Sequence, residues 1–591
     1  MLIDNFVHNQ KKFIILKLFI FFSIYVLFSV KAVASDTQKI HVLHSIWEDH
    51  LVIKNSKLCR SNKDCGFVEL LTDNQIKIKW DKYKPEVFKL NKKNNIWVLD
   101  SNYAIQSEYE EFVYTFEEPY IKVNPYGKTP LSALIKFPTQ ESVKILIRIK
   151  GKDGSPDIVN EFEGYRKEHE IPVFGLYPNY DNQVTLKATN KKGHSKEINL
   201  VISTKKLKLH EQWFMIQKKD NDFYYYATYR GIVYDEYGNI RYQFIVNNAD
   251  FLYFYKDYVF VEDTKKITKY SLLGEIIQVY HYPKDFYGYM HGIGFKDNDN
   301  LLVFGSFKDS KALIEGRHEV THRDFILEFN AQTGAVLAKY DLADMLNPDR
   351  TLIVKSSNKE ENKIDWAHTN GIDYDAKNKA IVISGRHFGI AKIDEKTKKP
   401  IWWMTPHQLT HKSGRNGDKG DISHLLLTAI DENAKPYSEK VQKGLEKANG
   451  FKWPLKSHSV KYVGNGVYSI FDNSGEMYDK KLYTTQNSYA SVFKIDDRKK
   501  TVQQLFLKDL KEYSELGSSV VYNPQSKQLL VTVSRVYSPN GEFLFNTHIY
   551  RFNKNGEILY KAMLHKDIPE WEFLIQPFEF YSENNWPTPS E

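Results

Sequence analysis

Four short stretches of this 591-residue chain repeat one pattern: HGIGF at 291–295, NGIDY at 370–374, HSVKY at 458–462 and SSVVY at 518–522. Each reads polar, small, branched apolar, variable, aromatic. Each is followed by a turn and a second apolar run: LLVF at 301–304, IVI at 381–383, VYSIF at 467–471 and LLVTV at 529–533. Short apolar runs rich in branched and aromatic residues read as strands, and a strand that recurs with a polar first residue is the mark of a symmetric repeat fold. In such a fold the equivalent first residues converge on one axis. His291, Asn370, His458 and Ser518 are therefore candidates for a single pocket. His368, two residues before Asn370, is expected on the same strand face.

A second repeat begins near residue 210. An aromatic or apolar pair leads into an Asp or Asn turn, often with Gly, and then a branched residue. The copies are VYDEYGNI (233–240), KYSLLGEI (269–276), EFNAQTGAV (328–336), KIDEKTKKPI (392–401), KIDDRKKTV (494–502) and RFNKNGEI (551–558). Radial repetition of four-stranded units is how a β-propeller hides its sheet edges. Six hairpins predict an all-β chain ending in a six-bladed β-propeller over residues 206–591. Each polar-headed strand would be an innermost strand, and each hairpin the outer pair of a blade. Ahead of it, over 35–205, turns such as NPYG (124–127) and YPNY (177–180) punctuate apolar runs such as VKILIRI (143–149), which predicts an N-terminal β-sandwich. Aromatic residues make up 14% of the chain, with 39 Tyr and 36 Phe, a bias that favours strands.

The longest gap between hairpins, Ile393 to Ile495, holds an insertion. Its Lys- and Glu-rich stretch 437–448 predicts a helix, and it runs through Phe451 and Trp453 directly into His458. Long loops on a rigid scaffold are where substrates are gripped.

At the N-terminus, Lys11 and Lys12 precede an apolar stretch over 13–30 that ends in Ala32, Val33 and Ala34. This predicts a secretory signal over 1–34, cut after Ala34. The alternative is an uncleaved anchor, against which Lys17 and the Ala-x-Ala end both argue. The segment contributes +3 of the formal net charge of +8, and the remaining +5 is spread without an arginine-rich run, so no nucleic-acid partner is expected. Cys59 and Cys65 are the only cysteines, and in an exported chain a close pair predicts a disulfide.

The inner candidates, extended by Arg386 of SGRH (384–387), form a donor-rich set without an acidic member. Three histidines can hold zinc, but a metal site ordinarily recruits a carboxylate or a thiolate. A glycosidase needs two placed carboxylates, and a serine triad needs an orienting acid. Neutral and cationic donors suit a tetrahedral anion such as sulfate or phosphate, and an imidazole held neutral can attack one. HEVTH (318–322) spells a zinc-protease motif and HQLTH (407–411) nearly does, but that motif requires a helix. Val320, Thr321 and the following FILEF (325–329) predict strand or loop instead. No metal and no cofactor are expected.

At these residues the chain resembles the bacterial arylsulfate sulfotransferases that do not use a nucleotide sulfate donor. The resemblance runs through NPYGKTPL (124–131), HEIPVFGLYP (169–178), WAHTNGIDY (366–374), ISGR (383–386) and the stretch from His458 to FDN at 471–473. It implies a β-sandwich followed by a six-bladed propeller, a periplasmic homodimer, and ping-pong transfer of a sulfuryl group from an aryl sulfate donor to a phenol acceptor. It implies His458 as nucleophile, with His291, His368, Asn370 and Arg386 binding the sulfuryl group and Ser518 as a further hydroxyl of the pocket. Trp402, Trp403 and Trp453 are candidates to stack the aryl ring, with packing between sheets as the alternative. The chain departs from the family at one point: residues 408–451, ahead of the nucleophile, contain no cysteine where the family commonly carries a disulfide. Two other functions fit a propeller. A quinone-dependent oxidoreductase would need a calcium cluster that the sequence does not offer, and a non-catalytic anion-binding propeller would hold sulfate without turnover.

Overall fold

The computed structural model describes residues 57–59, 65–72, 75–80, 86–93, 96–99, 115–209, 212–246, 251–314, 317–321, 325–348, 354–355, 363–408, 422–474, 487–536, 546–566 and 574–581. The signal segment lies outside them. The chain divides into two compact units, one of residues 1–120 with 136–140, the other of 121–135 with 141–591. The first contains a five-stranded antiparallel meander from Lys57–Cys59 to Ile96–Leu99. Cys59 and Cys65 face each other across its first hairpin, where Cα partners are Lys57 with Phe67, Leu58 with Gly66 and Cys59 with Cys65. Their side chains lie outside the described residues.

The second unit opens with a six-stranded sheet spanning Tyr120–Val123 to Ser195–Ser203. Its long strand Ala133–Ile149 buries alternate residues, Val143, Ile145, Ile147 and Ile149, as expected of a strand with one covered face.

Six further sheets follow among the described residues, each of four or five strands and antiparallel save for one parallel pair in the fifth. All six copies of the hairpin repeat join the third and fourth strands of one of these sheets, counted from the same edge. The register slips at the same place in nearly every copy: at Val233/Tyr234, Lys269/Tyr270, Glu328/Phe329, Lys392/Ile393 and Arg551/Phe552. A bulge there strengthens the twist that each outer pair needs. The polar-headed strands each form one edge of their sheet: Phe286–Phe295, Thr369–Asp375, His458–Tyr462 and Ser519–Asn523. They lie side by side in that order. The approach is close enough to exclude side chains: a Cβ on Gly371 would lie 2.7 Å from the Val460 nitrogen.

Successive sheets share apolar clusters. One joins the third and fourth sheets through Leu302, Phe304, Trp366 and Ile383; another joins the fourth and fifth through Val382, Trp402, Tyr468 and Phe493. Both ends of this six-sheet region pair back into it. Strand Ile575–Phe578 pairs with Tyr225–Thr228 to complete the first sheet, and Gln212–Lys218 adds to the outer edge of the sixth. At that seam the buried guanidinium of Arg551 donates to Glu236 at 2.6 Å and also to Asp220, and the Tyr226 hydroxyl donates to Glu236. Removing either sign of such a buried network would leave the other uncompensated.

Three sequence expectations need correction. The helix expected over 437–448 is one turn, Glu439–Gln442, capped by Ser438 and stopped by Gly444 in the left-handed region at φ 74°. His368 is not on the face of the Asn370 strand; it precedes that strand in a left-handed bend at φ 44°. Trp402, Trp403 and Trp453 do not line an aryl-binding mouth. All three are buried, and their indole N–H groups donate to Asp497, the Phe388 carbonyl and the Val441 carbonyl. The HxxxH stretches are not helical at their described residues: His318 lies in the hairpin strand Arg317–Val320 and His407 in a loop, while His322 and His411 lie outside the described residues.

Candidate active site

The first strands are bulged where their polar residues sit. The register slips between Thr369 and Gly371, around Asn370, and between His458 and Lys461. In the third sheet it slips between Gly288 and Ile293, the segment that holds His291, whose side chain lies outside the described residues. Bulges of this kind re-aim side chains beside functional sites. Left-handed residues gather at the same level: His368, Lys456, Ser459, Ser518 and Arg535 have φ between 44° and 78°. Clusters of this conformation in non-glycine residues are a mark of functional sites.

His458 is the best-defined group. It is 1% exposed, and its Nδ1 lies 2.7 Å from Asn473 Oδ1 and 3.1 Å from the Lys456 carbonyl. Asn473 Nδ2 donates to the carbonyls of Ser514, at 2.9 Å, and Gly517, at 3.3 Å, which fixes the amide with its oxygen toward the imidazole. Both neighbours of Nδ1 are acceptors, so Nδ1 carries the hydrogen and Nε2 carries the lone pair. Burial, then the positive charge of Arg386, and then that of His368, lower the imidazole from 6.5 to about 3. The ring is therefore neutral across the physiological range.

Other candidates lie near it. The Arg386 backbone N–H donates to the His368 carbonyl at 3.0 Å. His368 Nδ1 is hydrogen-bonded to Asp365 Oδ2, and its ring meets His387 edge-on at 5.2 Å. Asn370 is buried, accepts from Ser384 Oγ at 2.9 Å and donates to the Ser457 carbonyl at 2.7 Å, so it also anchors the residue before His458. Ser518 is fully buried. Its hydroxyl meets Ser514 Oγ at 2.9 Å and Ser534 Oγ at 3.1 Å, and its carbonyl accepts from Ser459 Oγ. Ser518 thus belongs to the layer that carries Asn473. Arg386 and His368 lie near enough to act electrostatically on His458, and hydrogen bonds tie Asn370 to the residue before His458 and Ser518 to the layer of Asn473, although these residues span 150 residues of chain.

Asp365, His387 and Asn473 were not singled out from sequence. Asn473 had a legible signal: Phe471 is the register partner of His458, and Asn473 lies two residues further on the same face. Asp365, His368 and His387 offer ligating atoms within 4.8 Å of one another.

The loop ahead of His458 is held without a disulfide. Lys452 forms a buried ion pair with Asp472, whose carboxylate also accepts from the Leu455 and Ser474 N–H groups at 2.9 Å. Phe451 and Trp453 enter the apolar cluster between the fourth and fifth sheets. Gln442 bonds both backbone groups of Ala429 through its side chain. The insertion is thereby fixed to the fifth sheet, where its strand Thr428–Ile430 pairs in parallel with Thr501–Asp509.

The family model described as Arylsulfotransferase (ASST) matches residues 184–571, and that of the Arylsulfotransferase Ig-like domain matches 120–205. Arylsulfate sulfotransferase AssT of Escherichia coli O6:H1 is 26% identical over 288 residues, covering 43% of this chain and 45% of that protein. The match thus spans less than half of that relative's length. Arylsulfate sulfotransferase AssT of Lelliottia amnigena is 22% identical over 486 residues, covering 65% of this chain and 79% of that protein. Among solved structures, the Cps50 (Swd1) β-propeller domain of Myceliophteria thermophila is 7% identical with a TM-score of 0.27, covering 54% of this chain and 87% of that one.

Proposed function

Because this chain belongs to the arylsulfotransferase family, we propose that it transfers a sulfuryl group from an aryl sulfate to a phenol by a ping-pong mechanism through a sulfohistidine at His458. The observation that carries this reading is the His458 environment. Its Nδ1 hydrogen is engaged by Asn473 and Lys456, and it is held neutral among cations, so Nε2 is a nucleophile already in its reactive form. In the first half-reaction Nε2 attacks sulfur, the N–S bond forms, and the S–O(aryl) bond breaks with its electron pair on the aryl oxygen. In the second, a phenol oxygen attacks sulfur and the electron pair returns to Nε2. Arg386, His368, His291 and Asn370 bind the sulfuryl oxygens as charge shifts across them, each well-placed donor contributing ~2.7–4 kcal/mol in the transition state. Ser518 supports the Asn473 loop.

On this reading residues 206–591 form a six-bladed catalytic propeller. The mature enzyme is exported to the periplasm after cleavage at Ala34, works as a homodimer and carries a Cys59–Cys65 disulfide. Directly opposed residues of an antiparallel pair lie within the Cα separation that a disulfide spans. The test is nitrophenol release from nitrophenyl sulfate. Sustained release requires a second phenol, and His458→Ala abolishes it; sustained release by the His458→Ala variant would refute the mechanism.

A further inference from the structure

Moving a sulfuryl group between phenols also moves a proton: the departing aryl oxygen gains one and the acceptor hydroxyl loses one. His458 cannot carry it, because its Nδ1 hydrogen is held by Asn473 and Lys456 and its Nε2 lone pair becomes the bond to sulfur. His368 has the right geometry. Its Nδ1 is hydrogen-bonded to the carboxylate of Asp365, three residues earlier, and the two side chains are 14% and 10% exposed. A carboxylate accepts, so Nδ1 donates and Nε2 becomes the exchanging atom. The backbone holds this ring firmly. The His368 carbonyl accepts the Arg386 N–H at 3.0 Å, and the left-handed bend turns the side chain back toward Asp365. His387 closes the ring's flank edge-on at 5.2 Å, buried, with its Nδ1 meeting no hydrogen-bond partner among the described residues. Burial keeps His387 well below the ordinary imidazole range, so it does not compete for the proton. Among the described residues, Arg386, Lys456 and His458 are further charged or titratable groups that act on these rings.

We propose that Asp365 and His368 form the proton-carrying dyad of this site, with Asp365 as a positioning residue. The inference rests on the sulfotransferase reading. His368 Nε2–H protonates the aryl oxygen as the S–O bond breaks, leaving the imidazole neutral. In the return half-reaction Nε2 takes the proton from the acceptor hydroxyl as its oxygen bonds to sulfur and the electron pair returns to His458. The Asp365 carboxylate holds Nδ1–H throughout and stabilises the imidazolium.

The test compares two donors in the full-length enzyme. Phenyl sulfate releases a basic oxygen that needs a proton; nitrophenyl sulfate releases a stable phenolate that does not. Asp365→Asn is expected to slow the donor half-reaction of phenyl sulfate by about 10²-fold, and that of nitrophenyl sulfate only a few-fold. His368→Gln slows both donors, because it also removes a sulfuryl-binding group, and slows phenyl sulfate by the same further margin over nitrophenyl sulfate; Asp365→Glu restores part of the phenyl sulfate rate. Circular dichroism confirms the fold of each variant; should Asp365→Asn fail to fold, His368→Gln decides. Equal slowing of both donors would reduce Asp365 to a structural role and overturn the proposal, as would no slowing of either. A wild-type enzyme that transfers nothing, or turnover that survives His458→Ala, would instead overturn the reading on which the dyad rests.

Discussion

Lowering the pH separates a buried, neutral His458 from an ordinary imidazole. With the usual pKa of about 6.5, only about 3% of the ring would be unprotonated at pH 5, and a rate that depends on its lone pair would fall roughly 30-fold between pH 7.5 and 5. The structure lowers the group to about 3, first by burial and then through Arg386 and His368. At pH 5 about 99% of such a ring keeps its lone pair, and a value a full unit higher would still leave about 90%. The direction follows from the sign: a depressed imidazole pKa extends the reactive form toward acid, so activity is lost only as pH falls toward the folded value. The assay is a rapid-quench measurement of the nitrophenol burst without acceptor, with samples made alkaline after the quench so that product is read at one pH. A burst rate constant that stays within about twofold from pH 7.5 to 5 agrees with the structure. A decline through an apparent pKa near 6.5 would show that the nucleophile titrates as if exposed, and would refute the assigned environment.

Three other outcomes follow from contacts around the site. Asn473→Ala removes the 2.7 Å partner of His458 Nδ1 and leaves only the Lys456 carbonyl. The expected loss is about 1–3 kcal/mol, or roughly 5- to 150-fold in the donor half-reaction; an unchanged burst rate would remove Asn473 from the machinery. Lys452→Met leaves the Asp472 carboxylate buried without its cation, and thermal unfolding should report a destabilisation of about 3–5 kcal/mol; an unaltered melting curve contradicts the claim that this pair replaces a loop disulfide. In protein purified from the periplasm, Cys59 and Cys65 should resist alkylation until reduced; labelling of both without reductant rules out the bridge.

The hairpin repeat and the polar-headed strands were legible because both are local. A strand's period of two, a turn residue and an aromatic partner all lie within ten residues. The grouping of His368, Asn370, Arg386 and His458 followed from symmetry and resemblance together. What escaped was whatever depends on pairing across strands or on bends. Asp365 reaches His368 only because residue 368 takes a left-handed conformation, which a non-glycine sequence does not announce. The tryptophans stay open in the sequence because an aromatic near a site can stack a ligand or fill an inter-sheet cluster, and only packing decides; here the clusters take all three. The stretch 437–448 has helical composition but is held by tertiary bonds, such as those of Gln442 to Ala429, that require it to turn away after one turn.

The most direct measurement is mass spectrometry of enzyme quenched after mixing with aryl sulfate alone. The account predicts a single sulfo group on the peptide that contains His458, stable to alkali, labile to acid and discharged by added phenol. A modification at any other residue, or an unmodified protein that nevertheless turns over, would contradict it.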